Sequence, residues 1–182
     1  MRVDNPKQFE AARDFNQAII AGVANAKGVH AETAISAAAR MAGAYLLRST
    51  GLPLGNYAAG TPILCDLVDD QGQELMGLIG QALVSMGVPY DASKLDYDLP
   101  ADHNSRMTLM QTEELLEAPV RAIAERYALN DEQTAATLAI SAAILIQNCA
   151  GILDPHVSYV VAVYGMVEGA KTVPFEAVEA VA

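Results

Sequence analysis

Two acidic sets have the spacing to hold a divalent cation. Asp66, Asp69 and Asp70 stand as Asp-x-x-Asp-Asp, and Glu113, Glu114 and Glu117 as Glu-Glu-x-x-Glu. Steps of three and four place side chains on one helical face. Two such faces set opposite one another would share Mg²⁺ through hard oxygen ligands and hold a diphosphate. The competing expectation is that these carboxylates are solvated outer faces and helix-start charges, the ordinary setting of such runs. It is the favoured expectation, and no metal or cofactor is assigned to the chain.

The stretch from Glu113 to Glu117 resembles the acidic helices of all-α nucleoside-triphosphate pyrophosphatases of the MazG type, which implies Mg²⁺-dependent hydrolysis of a nucleotide. The likeness covers only those residues. That family's following Glu-x-x-Asp pair has no counterpart, because Asp131-Glu132 leads straight into an apolar segment. No family is recognised across the chain.

The sixth apolar segment carries a different arrangement. Val157, Val161, Tyr164, Glu168 and Lys171 fall on one helical stripe, with His156 and Tyr159 near its start. In so apolar a region a carboxylate and two phenols need partners or water. His156, Tyr159, Tyr164 and Glu168 are therefore the candidate ligand-binding residues. The blander alternative is a core helix whose last turn emerges into solvent. In a third arrangement Glu168 pairs with Arg40 or Arg48 of the second segment, and a buried pair would be costly to break.

Other patterns fall short of chemistry. Gly55 and Gly60 have a P-loop's separation, but no Lys follows and no strand precedes, so 55–62 reads as a turn into a helix. His30, His103 and His156 form no Glu-x-x-His pair, which excludes the di-iron bundle signature. Asp96, Asp98, Asp102 and His103 lie in a polar connection without the Gly and Glu of an EF-hand, and are expected to be solvated loop. Cys65 and Cys149 are far apart with no metal-ligand spacing, and are expected to be buried thiols.

Six helical segments would have to position these residues. The first spans about 6–27, with Asn5 as cap, Pro6 in the first turn, and Phe9, Ala12, Phe15, Ile19 and Val23 inward. The second, 31–49, is Ala-rich and closed by Gly51 and Pro53, with Ile35, Ala38, Ala42, Tyr45 and Leu46 on its inner face. A long third, 61–86, opens at Thr61-Pro62 and keeps helical spacing through Leu64, Val68, Leu75 and Ile79 despite Gly72, Gly77 and Gly80. The fourth, 112–129, is kinked at Pro119 and pairs Glu117 with Arg121 outward. The fifth starts at an Asn130/Gln133 capping box, runs to about 150 and is apolar nearly all round, which puts it at the centre. Asp154-Pro155 opens the sixth, which reaches Lys171. Only 88–105 reads as a long loop. Ala-Ile-Ser-Ala-Ala occurs twice, at 34–38 and 139–143, which would suit two related three-helix halves.

The expected fold is an all-α, irregular bundle of about six helices with a central apolar helix, filling one domain over 1–182. Its 182 residues suffice for a real core. Hydrophobic residues make up 52%, aromatic ones 5% and charged ones 18%. The charged share lies below the roughly 25% usual for globular domains, which suggests a homo-oligomer, a dimer above all, that hides part of its surface. A net charge of −11 argues against nucleic acid and against anionic membranes. The first residues lack the apolar core of a signal peptide, and the apolar run 135–146 is too short to span a bilayer, so a cytoplasmic setting is expected. The function expected is a non-enzymatic assembly or interaction protein. The alternative is a small-ligand-binding protein or a Mg²⁺-dependent enzyme acting on a phosphorylated small molecule.

Overall fold

The computed structural model describes residues 6–175, and at 67–69 the backbone alone. The expected Asn5 cap, the Val68 and Asp69 side chains and the tail after Phe175 lie outside the described residues. The protein is all-α: six helices and no β-sheet among the described residues. They are α1 (Pro6–Val23), α2 (Ala31–Ser49), α3 (Asp66–Ser85), α4 (Leu109–Arg126), α5 (Asp131–Cys149) and α6 (Pro155–Ala170). None of the described helices is long and apolar enough to cross a membrane.

The caps show why the helices begin where they do. Thr108 accepts from the Gln111 backbone N–H while Gln111 reaches back to Thr108, and Asn130 and Gln133 do the same for α5. Each box satisfies two amide donors that the first turn leaves without partners. Asp154 accepts from the His156 N–H at the Pro-led start of α6. Helix α4 thus begins three residues before the expected 112, at a capping box that the sequence displays. It runs on through Pro119.

The start of the third helix needs correction. Residues 61–63 are extended because the chain here pairs with the chain leaving α6. Gly60 N–H donates to Val173 O at 2.9 Å, Val173 N–H to Thr61 O at 2.8 Å and Ile63 N–H to Lys171 O at 2.8 Å. A helix over 61–65 would forfeit these bonds, so α3 waits until Asp66 and the connection 50–65 becomes a second long loop. Helix α1 also stops early, at Val23, because Asn25 and Gly28 exchange backbone hydrogen bonds in a tight turn with Gly28 at φ +101°.

Helix α2 shares the centre with α5. Every residue from Thr33 to Leu47 is buried, including Ser36 and Arg40, which lie off the expected inner face. Helix α5 packs on one side of α2 and α6 on the other, with α6 touching α2 far more broadly than it touches α5. Phe9, expected inward, is 51% exposed, and Gln8 is buried in its place with its amide donating to Thr137 Oγ1 at 3.2 Å. Cys65 and Cys149 are half-buried and unbridged.

Glycine sets the α2–α6 distance. A Cβ on Gly43 would lie 2.2 Å from Met166 O, one on Gly169 2.1 Å from Arg40 O, and one on Gly165 2.8 Å from Ser36 O. These are backbone atoms, so the helices would have to part to admit a methyl group. Gly77, exposed in α3, has open space around it. Gly43→Ala and Gly169→Ala should each cost about 2–3 kcal/mol through overpacking. Gly77→Ala should stabilise by about 1 kcal/mol through helix propensity. Urea unfolding of the three variants checks the contrast, which vanishes if the helices are not in backbone contact.

Candidate functional site

The close approach of α2 and α6 leaves no room between them for a long side chain, so Arg40 runs out along the seam. It reaches the wall of a cleft of about 720 Å³ bounded by α2, α6 and the loop 97–108. Its guanidinium is almost fully engaged. Nε and NH2 both donate to Glu168 Oε2 at 2.8 Å, while NH1 donates to Met107 O at 2.7 Å, Thr112 Oγ1 at 3.1 Å and Ser105 Oγ at 3.2 Å. The Arg40 side chain is 7% exposed and that of Glu168 is 45% exposed. The cation is thus interior and its counter-charge stands in the cleft. Of the three arrangements open to Glu168, this is the pair with Arg40.

The loop opposite is pinned to α2. Glu32 accepts from His103 Nδ1 at 3.1 Å and meets His30 Nε2 at 3.3 Å. Thr33 Oγ1 accepts the Arg106 N–H at 2.9 Å. Burial works to raise the Glu32 carboxyl, but a hydrogen bond from its own backbone N–H, the one from His103 and the two nearby imidazoles together outweigh it, and the group lies below its ordinary value. His103, expected to be solvated loop, is half-buried and lines the cleft with its ring oriented by a carboxylate. Tyr164, half exposed, donates its hydroxyl to Tyr97 O across the mouth. Val161, Val167 and Leu99 add apolar wall.

The four candidate residues are therefore split. Tyr164 and Glu168 line the cleft. Tyr159 and His156 face the other way, toward α3 and the loop that follows it. Tyr159 donates to Met76 O at 3.0 Å and lies against the Tyr90 ring, at 4.8 Å between centroids. His156 Nε2 accepts the Asp91 N–H at 3.2 Å while Nδ1 meets Asp154 at 3.0 Å. Burial pushes the Tyr159 hydroxyl well up. These two peg the loop to the helices. At about 3.6 residues per turn Tyr159 stands on the opposite side of α6 from Glu168, so the split follows from the helical period itself.

The acidic sets part in the same way. Asp66, Asp70 and Glu114 are exposed, as expected of solvated charges. Glu113 and Glu117 are not: each is 1% exposed, against that expectation. Glu117 accepts from Arg48 NH1 at 2.9 and 3.0 Å and from Arg121 NH2 at 2.8 Å, so two guanidinium groups fill the place a cation would take. Glu113 Oε2 accepts the Phe175 N–H at 2.6 Å, and Arg48 NH2 donates to Phe175 O at 3.0 Å. Among the described residues no group of three or more His, Cys, Asp or Glu is disposed to hold a metal ion. Comparison with family models, curated proteins and solved structures returned no match for the chain.

Burial pushes the Glu113 carboxyl up to about 7, with Glu117 adding to the rise and the Phe175 N–H, Arg48 and Arg40 opposing it. The folded chain then binds a proton here that the unfolded chain has released. Stability from this group is complete below the ordinary value of 4.5 and is lost as the pH rises through about 7. Glu113→Gln removes the titration. Its stability relative to the parent should climb between pH 4.5 and 7 by on the order of 2–3 kcal/mol and then level off. Denaturant unfolding at several pH values measures the difference, and a difference independent of pH would mean that Glu113 titrates normally.

Proposed function

We propose that the protein is a non-enzymatic binding protein that holds a small organic molecule in the cleft between α2, α6 and the loop 97–108. The observation that carries this reading is the Arg40–Glu168 pair, an interior guanidinium whose carboxylate partner stands half in an open cleft. Burying a charged group is costly unless it is paired, and a carboxylate left half exposed at a cavity keeps lone pairs free to meet a ligand. At about 720 Å³ the cleft falls within the range of roughly 300–1,000 Å³ usual for small-molecule sites. Its wall is of the mixed kind such sites use. Val161, Val167 and Leu99 offer apolar surface, while Glu168, Tyr164 and His103 offer a few convergent polar groups. The matching ligand has an apolar body and one polar end that meets Glu168 and Arg40.

Ligand-observed NMR on a fragment library tests this reading. Fragments with that character should bind, and Tyr164→Ala and Glu168→Gln should each weaken them by about tenfold or more. A library without binders, or binders indifferent to both substitutions, would sink the proposal. Glu168→Gln also leaves Arg40 with a weaker partner, and should destabilise the fold by about 1–3 kcal/mol.

Self-association is a second reading, favoured by large apolar side chains left in water: Leu64 at 95%, Ile152 at 84% and Val84 at 61% exposure. We infer that the chain forms a homo-oligomer, a dimer above all. Light scattering at micromolar concentration should return at least twice the chain mass. A 19.2 kDa species stable on dilution removes this reading.

A further inference from the structure

A second recess, of about 330 Å³, opens between α2, α4 and the start of α5, with the side chains of both Tyr45 and Thr134 in its wall. Tyr45 is 4% exposed and Thr134 0%, yet neither the Tyr45 hydroxyl nor Thr134 Oγ1 makes a well-formed hydrogen bond in the protein, although the Arg121 guanidinium lies near enough to the Tyr45 hydroxyl to interact with it. A buried hydroxyl without a partner costs free energy, and two in one recess call for an occupant that bonds to both.

The charges around them are polarised. Arg48, largely buried, and Arg121, 39% exposed, share the single buried carboxylate of Glu117, which leaves that trio one positive charge in excess. Glu113, the next carboxyl within reach of Arg48, is held partly protonated near neutral pH and does not cancel the excess in full. Arg48 also lies over the Tyr45 ring at 4.6 Å. At the outer edge stand Glu125 and Asp131, both exposed. Inward lies a positive field with two hydroxyl donors. Outward lies a pair of carboxylates. The Tyr45 hydroxyl is pushed up to about 12, chiefly by burial, so it keeps its proton at neutral pH and acts as a donor.

We propose that this recess binds a small zwitterion of the amino-acid class, its carboxylate turned inward to the Tyr45 and Thr134 hydroxyls and its ammonium at the Glu125–Asp131 rim. A simple anion would meet two carboxylates on entry, and a simple cation would meet the net-positive Arg48–Glu117–Arg121 trio at the end of its path. Only a molecule with both charges, the anionic one leading, matches the field throughout. The site is separate from the α2–α6 cleft and does not depend on that reading.

The test is a thermal-shift screen of the protein amino acids, each beside its N-acetyl and methyl-ester derivatives, followed by calorimetry. At about ten times its Kd a true ligand should raise Tm by about 3 °C, and blocking either of its charges should abolish the effect. Tyr45→Phe and Thr134→Val remove hydroxyls that make no well-formed hydrogen bond in the protein, so the variants should melt no lower than the parent while binding about tenfold or more weaker. Asp131→Asn, at the exposed rim, should weaken binding without disturbing the fold. Three results would overturn the proposal: no amino acid binding below about 1 mM, derivatives binding as well as the free zwitterion, or full affinity in the hydroxyl variants, which would leave water as the occupant. Loss of binding on Tyr164→Ala would overturn it too, by placing the ligand in the cleft.

Discussion

Helix α2 carries two guanidinium groups into the interior of the bundle, and much of the rest is arranged to meet them. Arg40 draws in Glu168 from α6, Thr112 from α4 and the backbone of Met107. Arg48, two turns on, draws in Glu117 from α4 and the carbonyl of Phe175. An unpaired interior cation is among the costliest defects a fold can hold, so these partners are obligatory. They also join segments far apart in sequence. The loop 97–108, the start of α4 and the segment that follows α6 are all tied to one helix through two side chains.

The second constraint is steric and explains where the charges emerge. With Gly43, Gly165 and Gly169 at the seam, α2 and α6 touch backbone to backbone over their middle turns. Side chains longer than Ala are expelled along the edges of that seam. Arg40 therefore extends to the cleft side and pairs there with Glu168, one turn beyond Tyr164 on the same face. The cleft is thus a consequence of packing: a narrow seam, a long cation leaving it, and a loop pinned across by Glu32 and Thr33. A wider α2–α6 spacing would let the arginine fold inward and would close the polar end of the cleft.

Much of this was legible in the residues. The capping box at Asn130, the Asp154-Pro155 start and the Gly51 stop mark real helix ends, since each rests on short-range chemistry written within four residues. The start of α3 was not legible, because the bonds that hold 60–63 out of a helix come from 171–173, more than a hundred residues away. Tyr164 and Glu168 were found because an apolar stripe makes a phenol and a carboxylate conspicuous. Tyr45, Thr134 and His103 were missed for the opposite reason: one Tyr and one Thr look ordinary among Ala and Leu, and a His in an Asp-rich loop looks solvated. Their importance lies in partners, or the lack of them, which no helical period encodes. The acidic face of α4 misled for a related reason. Spacing shows that Glu113 and Glu117 share a face, but whether that face meets water or arginine is decided by α2.

The helices also repeat one packing solution, and the repeat separates what is scaffold from what is special. The buried positions of α1, running Gln8, Ala11, Ala12, Phe15, Asn16, Ile19 and Val23, recur in α4 as Leu109, Thr112, Glu113, Leu116, Glu117, Val120 and Ala124. Helix α1 packs on α5 as α4 packs on α2, and α3 packs on α5 as α6 packs on α2. The polar contacts follow suit: Asn16 meets Ser141 across α1 and α5 at 2.6 Å, where Glu117 meets Arg48 across α4 and α2. The first contact is neutral and buried. The second is charged, draws in a further arginine and opens beside two hydroxyls that make no well-formed hydrogen bond. With the Ala-Ile-Ser-Ala-Ala segments aligned, Arg40 and Arg48 of α2 fall opposite Leu145 and Leu153. One half of the bundle thus meets with leucine what the other meets with arginine.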